Sequence, residues 1–211
     1  MKNKVYLLSV LLALFGICDA SAQLNNNKKL KPGEMVPDIS LTILRNGDFQ
    51  TMRLSDLRGK LVILDYWNIW CGSCIAAFPN LEKIQNIYAN DIFILPVSFI
   101  NTKAQVKEFV RKRKGTENEV DLPFAVFENK DNPLFQSIPT IGYPFEVWID
   151  KDGRFIRASD ATDITSENIG NYLEGKKLTL GFKNYQMDFD KTKPLLIKNN
   201  GGPDTAYYSV L

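Results

Sequence analysis

The chain reads as an α/β domain, a central mixed β-sheet with helices on both faces. Three observations predict this class. The run Leu61-Val62-Ile63-Leu64-Asp65-Tyr66-Trp67 is almost continuously apolar, the pattern of a central strand covered on both faces. Segments of helical period follow this run and the next apolar run, Phe93–Ile100, and helices between strands imply parallel pairing. Phe145–Ile149 and Arg154–Ala158 flank Asp152-Gly153, a hairpin signal that makes the last two strands antiparallel.

The elements follow in order. Lys2 and Lys4 precede an apolar run from Val5 to Ile17, and Ala20-Ser21-Ala22 supplies small residues at a cleavage position. This is the three-part pattern of a secretory signal peptide over residues 1–22. The run is short for a membrane span; an uncleaved N-terminal anchor is the alternative, and Ile17 before Cys18 is bulkier than lipid attachment usually allows. Residues 23–33 are polar and lysine-rich and read as a flexible arm. Ile39–Leu44 and Phe49–Leu54 flank Asn46-Gly47, an N-terminal β-hairpin. Ser55 is placed to cap a short helical turn. The central strand, residues 61–68, leads to a helix over about 72–90 with an apolar stripe of Phe78, Leu81, Ile84, Ile87 and Tyr88. Pro79 falls inside that helix and should kink it.

The second strand is Phe93–Ile100, followed by an amphipathic helix over 103–114 with Val106, Phe109 and Val110 inward, and by a short strand at Leu122–Phe127. A last helix over 165–174 is capped by Thr165 and stopped by Gly175. The domain proper is thus 34–175. Residues 176–211 form a C-terminal extension of unknown role with a β-rich pattern. Lys177–Phe182 alternates like a strand, and Pro194–Ile197 and Ala206–Leu211 flank a loop at Asn199–Asp204.

Composition bounds the chemistry. The chain has 211 residues, 45% of them hydrophobic, enough for one full core. Its net charge is +2, and loss of residues 1–22 removes two lysines and one aspartate to leave +1. So even a balance provides no general field for nucleic acid or an anionic membrane. The basic cluster Arg111-Lys112-Arg113-Lys114 complements a helix C-terminus and reads as a solvated helix end.

The chemistry lies in Trp70-Cys71-Gly72-Ser73-Cys74. Two cysteines at this spacing, between a strand and a helix, form a dithiol that can close into a disulfide. A free thiol has a pKa of about 8.5, and the thiolate is the reactive form. Unpaired N–H groups and the helix dipole favour that anion by at most about 2 kcal/mol, roughly one pKa unit. Cys71, at the helix start, is therefore the attacking thiol and Cys74, one turn in, the resolving one. A zinc site needs two more ligands. The chain has no histidine, and its third cysteine, Cys18, lies in the targeting segment. The mature chain keeps only this pair, as suits a single redox centre in an oxidising compartment.

Three segments carry a resemblance to the thioredoxin-fold TlpA/ResA-type extracytoplasmic thiol–disulfide oxidoreductases over about residues 33–175. They are Gly33–Asp38 with Leu54–Lys60, Asp65–Cys74, and Gly142-Tyr143-Pro144 with Trp148–Gly153. The resemblance implies a thioredoxin-like fold and a periplasmic enzyme, without cofactor or metal, that reduces disulfides of exported proteins. Apocytochrome and assembly-factor thiols would be among its substrates, and a membrane thiol its electron donor. It implies that Pro144 is a cis-proline facing the dithiol, that the Tyr143 backbone pairs with the partner polypeptide, and that Trp70 limits access. The residues alone also allow an ordinary trans turn and a rim aromatic.

Asp65 stands where thioredoxins carry a buried acid. A carboxyl inside an apolar strand is costly unless protonated or hydrogen-bonded, and a raised pKa would suit it to take the Cys74 proton. The alternative is a strand-end acid satisfied by a lysine. Ala77 replaces the acid several relatives carry three positions after the second cysteine, which puts more weight on Asp65. Gly72 and Ser73 are the tuning positions, Ser73 adding a donor and a hydroxyl beside the sulfurs. Potentials across the fold span about 150 mV, roughly 7 kcal/mol, so the residues leave the direction of electron flow open, and the resemblance implies a bias toward reduction. Two other functions compete. A thiol peroxidase shares the fold but needs threonine where this chain has Asn68. A redox-inactive binding module would use the tail.

Overall fold

The computed structural model describes residues 29–140 and 142–181. The segments read as a signal peptide, as the start of the arm, and as tail strands and loop beyond 181 lie outside the described residues. The elements are β1 (Ser40–Arg45), β2 (Asp48–Arg53), β3 (Leu61–Tyr66), α1 (Gly72–Ile87), β4 (Ile92–Ser98), α2 (Lys103–Arg113), β5 (Phe124–Val126), α3 (Pro133–Ser137), β6 (Phe145–Ile149), β7 (Phe155–Ser159) and α4 (Ser166–Leu173).

The strands form one sheet in the order β2-β1-β5-β4-β3-β6-β7. β3 is parallel to β4, and β4 to β5, as the intervening helices require. β6 is antiparallel to both β3 and β7. The hairpin turns through Asn46 and Gly47, both at positive φ, the geometry that Asn-Gly adopts readily. Its β1 then joins the same sheet through β5, pairing Ile43 with Ala125.

All six residues of β3 are buried, and alternation divides them between two cores. Val62, Leu64 and Tyr66 pack with Leu95, Val97, Phe145 and Val147 on one face. Leu61 and Ile63, with Trp67 just past the strand, pack with Phe78, Leu81, Ile84 and Trp148 on the other, under α1, the face that Asp65 also takes. Cys74 belongs to this second cluster.

Several expectations are corrected. The turn over Leu54–Leu57 begins two residues before the one Ser55 would cap, with Leu54 buried in it. Its cap is Arg53, whose N–H donates to the Asp56 carboxylate at 2.8 Å, while the Ser55 N–H donates to Asp38 at 3.0 Å. Ile87 is 55% exposed and leaves the apolar stripe. Tyr88 packs there instead, its hydroxyl donating to the Ser166 carbonyl at 3.1 Å. Residues 30–33 do not belong to a loose arm: Leu30 N–H donates to the Ser137 carbonyl at 2.9 Å, and Gly33 N–H to that of Phe155 at 2.8 Å.

Residues 177–181 form no strand. Leu178 and Leu180 instead pack on the α1 face of the core. Arg157 Nη1 donates to the Leu180 carbonyl at 2.9 Å, and Gly181 N–H to the Asp163 carboxylate at 3.0 Å. The short helix α3 was not expected. Its start is local, with Asn132 accepting the Leu134 N–H at 2.8 Å and Pro133 in the first turn. Among the described residues no helix is long and apolar enough to cross a membrane.

Candidate active site

The loop from β3 to α1 is tied down at both ends. Trp67 is buried in an aromatic cluster, its ring 5.1 Å from Phe78 and 4.9 Å from Phe109. Its N–H continues the ladder to the Val97 carbonyl at 3.1 Å. Two asparagines then hold the backbone. The Asn68 side chain accepts the Trp70 N–H at 2.9 Å, and Asn101 Oδ1 accepts the Ile69 N–H at 3.1 Å. Asn101 is itself fixed by the Ser98 hydroxyl, which donates to the same oxygen at 2.9 Å. Sequence reasoning weighed Asn68 only against a peroxidase threonine and missed Asn101 altogether. An asparagine just before the Thr102 cap carries no positional signal of its own.

Cys71 and Cys74 are joined as a disulfide, with S–S 2.01 Å and Cα–Cα 5.3 Å. Cys71 is the N-cap of α1, and its sulfur accepts the Cys74 N–H at 3.2 Å. A cap side chain that accepts the N3 amide satisfies one of the helix's orphan donors; here sulfur takes the place usually held by oxygen. The Ser73 hydroxyl lies 3.6 Å from the same sulfur. Cys71 is half-buried, and Gly72 and Ser73 are exposed. Beyond its chain neighbours, a Cβ added at Gly72 would meet nothing within 4 Å, so no clash requires glycine there. Cys74 is fully buried, whereas Trp70 is 68% exposed beside the pair.

The opposing loop carries Tyr143 and Pro144, joined by a cis peptide bond. Phe145, the next residue, is the register partner of Tyr66 at the end of β3. That pairing brings the Pro144 loop and the Cys71 loop to the same end of the sheet. Thr140 braces the approach to it, its hydroxyl donating to the Gly142 carbonyl at 2.6 Å and accepting the Gly142 N–H at 3.1 Å. Tyr143 packs against both core clusters, and burial raises its phenol pKa.

Asp65 is buried in β3, 1% exposed. Its strand neighbours are Pro96 on β4 and Glu146 on β6. Glu146, fully buried, was not singled out from the sequence. The signal was present, since a carboxyl inside Phe145-Glu146-Val147-Trp148-Ile149 breaks an apolar run just as Asp65 does. Away from this end, the basic cluster on α2 is engaged locally. Arg111 and Lys112 pair with Glu108, and Arg113 lies 3.6 Å over the Phe109 ring.

Comparison with known proteins fits this geometry. Residues 32–165 match the AhpC/TSA family. The thiol–disulfide oxidoreductase ResA of Bacillus thuringiensis is 27% identical over 177 residues, covering 83% of this chain and 95% of that protein. The exposed lipoprotein thioredoxin of Streptococcus pneumoniae superposes with a TM-score of 0.52 at 26% identity, over 66% of this chain and 99% of that one. The thioredoxin domain of a Bacteroides vulgatus thiol–disulfide oxidoreductase superposes with a TM-score of 0.54 at 20% identity, over 70% and 98% of the two chains. The last likeness bears on the fold, which is thioredoxin-like.

Proposed function

The chain belongs to the AhpC/TSA family and is a thiol–disulfide oxidoreductase, and from that premise we propose that Cys71 and Cys74 reduce the disulfides of exported proteins. The observation that supports this reading is the asymmetry of the pair. One sulfur caps the helix and is partly open, and the other is sealed beneath it. In the reduced enzyme the Cys71 thiolate, held by the Cys74 amide, attacks a substrate sulfur and displaces the other as a thiolate. Cys74 then attacks Cys71, the second substrate sulfur leaves, and the enzyme is left as the disulfide. The bend at Tyr143 and Pro144 offers backbone groups to the substrate chain, while Trp70 shapes the approach. An exogenous thiol at the membrane returns the pair to the dithiol.

We place the enzyme in the periplasm, exported by residues 1–22. The solved pneumococcal relative is an exposed lipoprotein, which agrees with work outside the cytoplasm. The test is reduction of insulin disulfides by the full chain with an added dithiol. Cys71→Ser should abolish it. Cys74→Ser should stop at a trapped mixed disulfide. Full activity in Cys71→Ser would remove this mechanism.

A further inference from the structure

The exchange just described gives no part to two buried carboxyls, Asp65 and Glu146. Glu146 and Asp65 are direct register partners on antiparallel strands, and both are buried, at 0% and 1% exposure. Residues so opposed have Cβ atoms about 4.5–5.5 Å apart and point to the same face. Neighbours two residues away identify that face. Ile63 and Trp67 bracket Asp65, Trp148 follows Glu146, and all three lie in the cluster that contains Cys74. Both carboxyls are therefore buried on the side of the sheet that α1 covers.

We propose that Asp65 and Glu146 share one proton and act as a single proton acceptor for Cys74, with Glu146 the positioning residue that sets how Asp65 titrates. This rests on the dithiol reading and deepens it. Two carboxylates this close and shielded from water resist ionising together, so their ionisations split and belong to the pair. Between the two steps the pair carries one negative charge and one proton. When the mixed disulfide resolves, the Cys74 thiol gives its proton to the pair and its sulfur bonds to Cys71 Sγ. The bond from Cys71 Sγ to the substrate sulfur breaks, and that sulfur leaves with the electron pair. The dithiol is oxidised by two electrons, and the substrate disulfide is reduced by the same two. The pair returns the proton when the enzyme is next reduced.

Pro96 lies opposite Asp65 on β4 and contributes no charge. Ser159 lies opposite Glu146 on β7, its hydroxyl accepting Trp148 Nε1 at 2.9 Å. Arg157 lies on that face, opposite Trp148, with Nη1 donating to the Leu180 carbonyl at 2.9 Å. Cys71 at the N-cap of α1, Cys74 within it and Tyr143 belong to the same cluster.

The decisive measurement is a carbon-13 carboxyl titration of the reduced full chain. Asp65 and Glu146 should show the same two steps, more than about one pH unit apart. Glu146→Gln should leave Asp65 with a single step, displaced by about one unit or more. The pH midpoint of Cys74 attack on a thionitrobenzoate disulfide formed at Cys71 should move with it, a readout that loss of packing alone would not shift. Independent single steps in the unaltered protein would assign the Glu146 charge to Arg157 and overturn the proposal, as would an unchanged Asp65 titration in Glu146→Gln. The unaltered protein decides the matter even where the variant fails to fold. The titration does not depend on whether Cys71→Ser keeps activity, so the two readings fail separately.

Discussion

The Cys74 amide donates to the Cys71 sulfur across 3.2 Å, so the resolving residue's backbone solvates the attacking residue's side chain. The same turn of helix that buries Cys74 aims its N–H at the sulfur that must carry negative charge. Access and acidity are therefore tied to one piece of backbone, whose N–H adds to the helix dipole at that end.

Ser73→Ala should raise the Cys71 thiol pKa by up to about one unit, because a hydroxyl 3.6 Å from the sulfur can donate to the thiolate and such a bond is worth about 0.5–1.5 kcal/mol. Thiolate absorbance of the reduced protein against pH reads it. A pKa that stays put or falls would show that the hydroxyl does not face the anion.

Asn101→Ala should cost about 1–3 kcal/mol in urea unfolding, since it leaves the half-buried Ile69 N–H and the buried Ser98 hydroxyl without their acceptor. Reduction should slow as well, because Ile69 lies within the loop that carries Cys71. Full stability in this variant would mean that the loop holds itself without the asparagine.

Phe78→Ala should destabilise by about 3–5 kcal/mol, for its ring fills the space between Trp67 and Phe124. Ile87→Ala, on the same helix but 55% exposed, should change stability by less than about 0.5 kcal/mol. Comparable losses from the two would contradict the position of the helix's buried face.

Arg53 donates to the Asp38 carboxylate at 2.8 Å and holds its pKa below the usual 3.8. A depressed folded-state pKa adds stability above the unfolded value and loses it as pH falls through the folded one. Asp38→Asn should therefore lower Tm at pH 6, with the difference from the unaltered protein shrinking below about pH 3.8. The site is exposed, and salt should weaken the effect. A Tm difference that grows on acidification would reverse the sign and exclude this origin.

Local features were readable where a single stretch of chain satisfies itself. Asn46-Gly47 makes its own turn, Thr165 caps its own helix by accepting the Asn168 N–H at 3.1 Å, and the Leu61–Tyr66 run announces burial on both faces. Residues 177–181 misled because an alternating apolar pattern specifies which side is buried and not what buries it; Leu180 found the core directly instead of a neighbouring strand. Ile87 misled for a related reason. Helical period marks a face, but its ends are decided by what the helix lies on, and here Tyr88 reaches the last helix.

The sequence by itself determined the redox chemistry, since two cysteines one turn apart at a helix start need nothing beyond local backbone to become a dithiol. It also determined the class of fold, because strand and helix periods are properties of short windows. Only the tertiary structure decided what surrounds that dithiol: the Pro144 loop brought to its end of the sheet, the Asn101 acceptor behind it, and Glu146 laid against Asp65. Each of these joins residues far apart in the chain, and register between distant strands is fixed by how whole faces pack, which no short window contains.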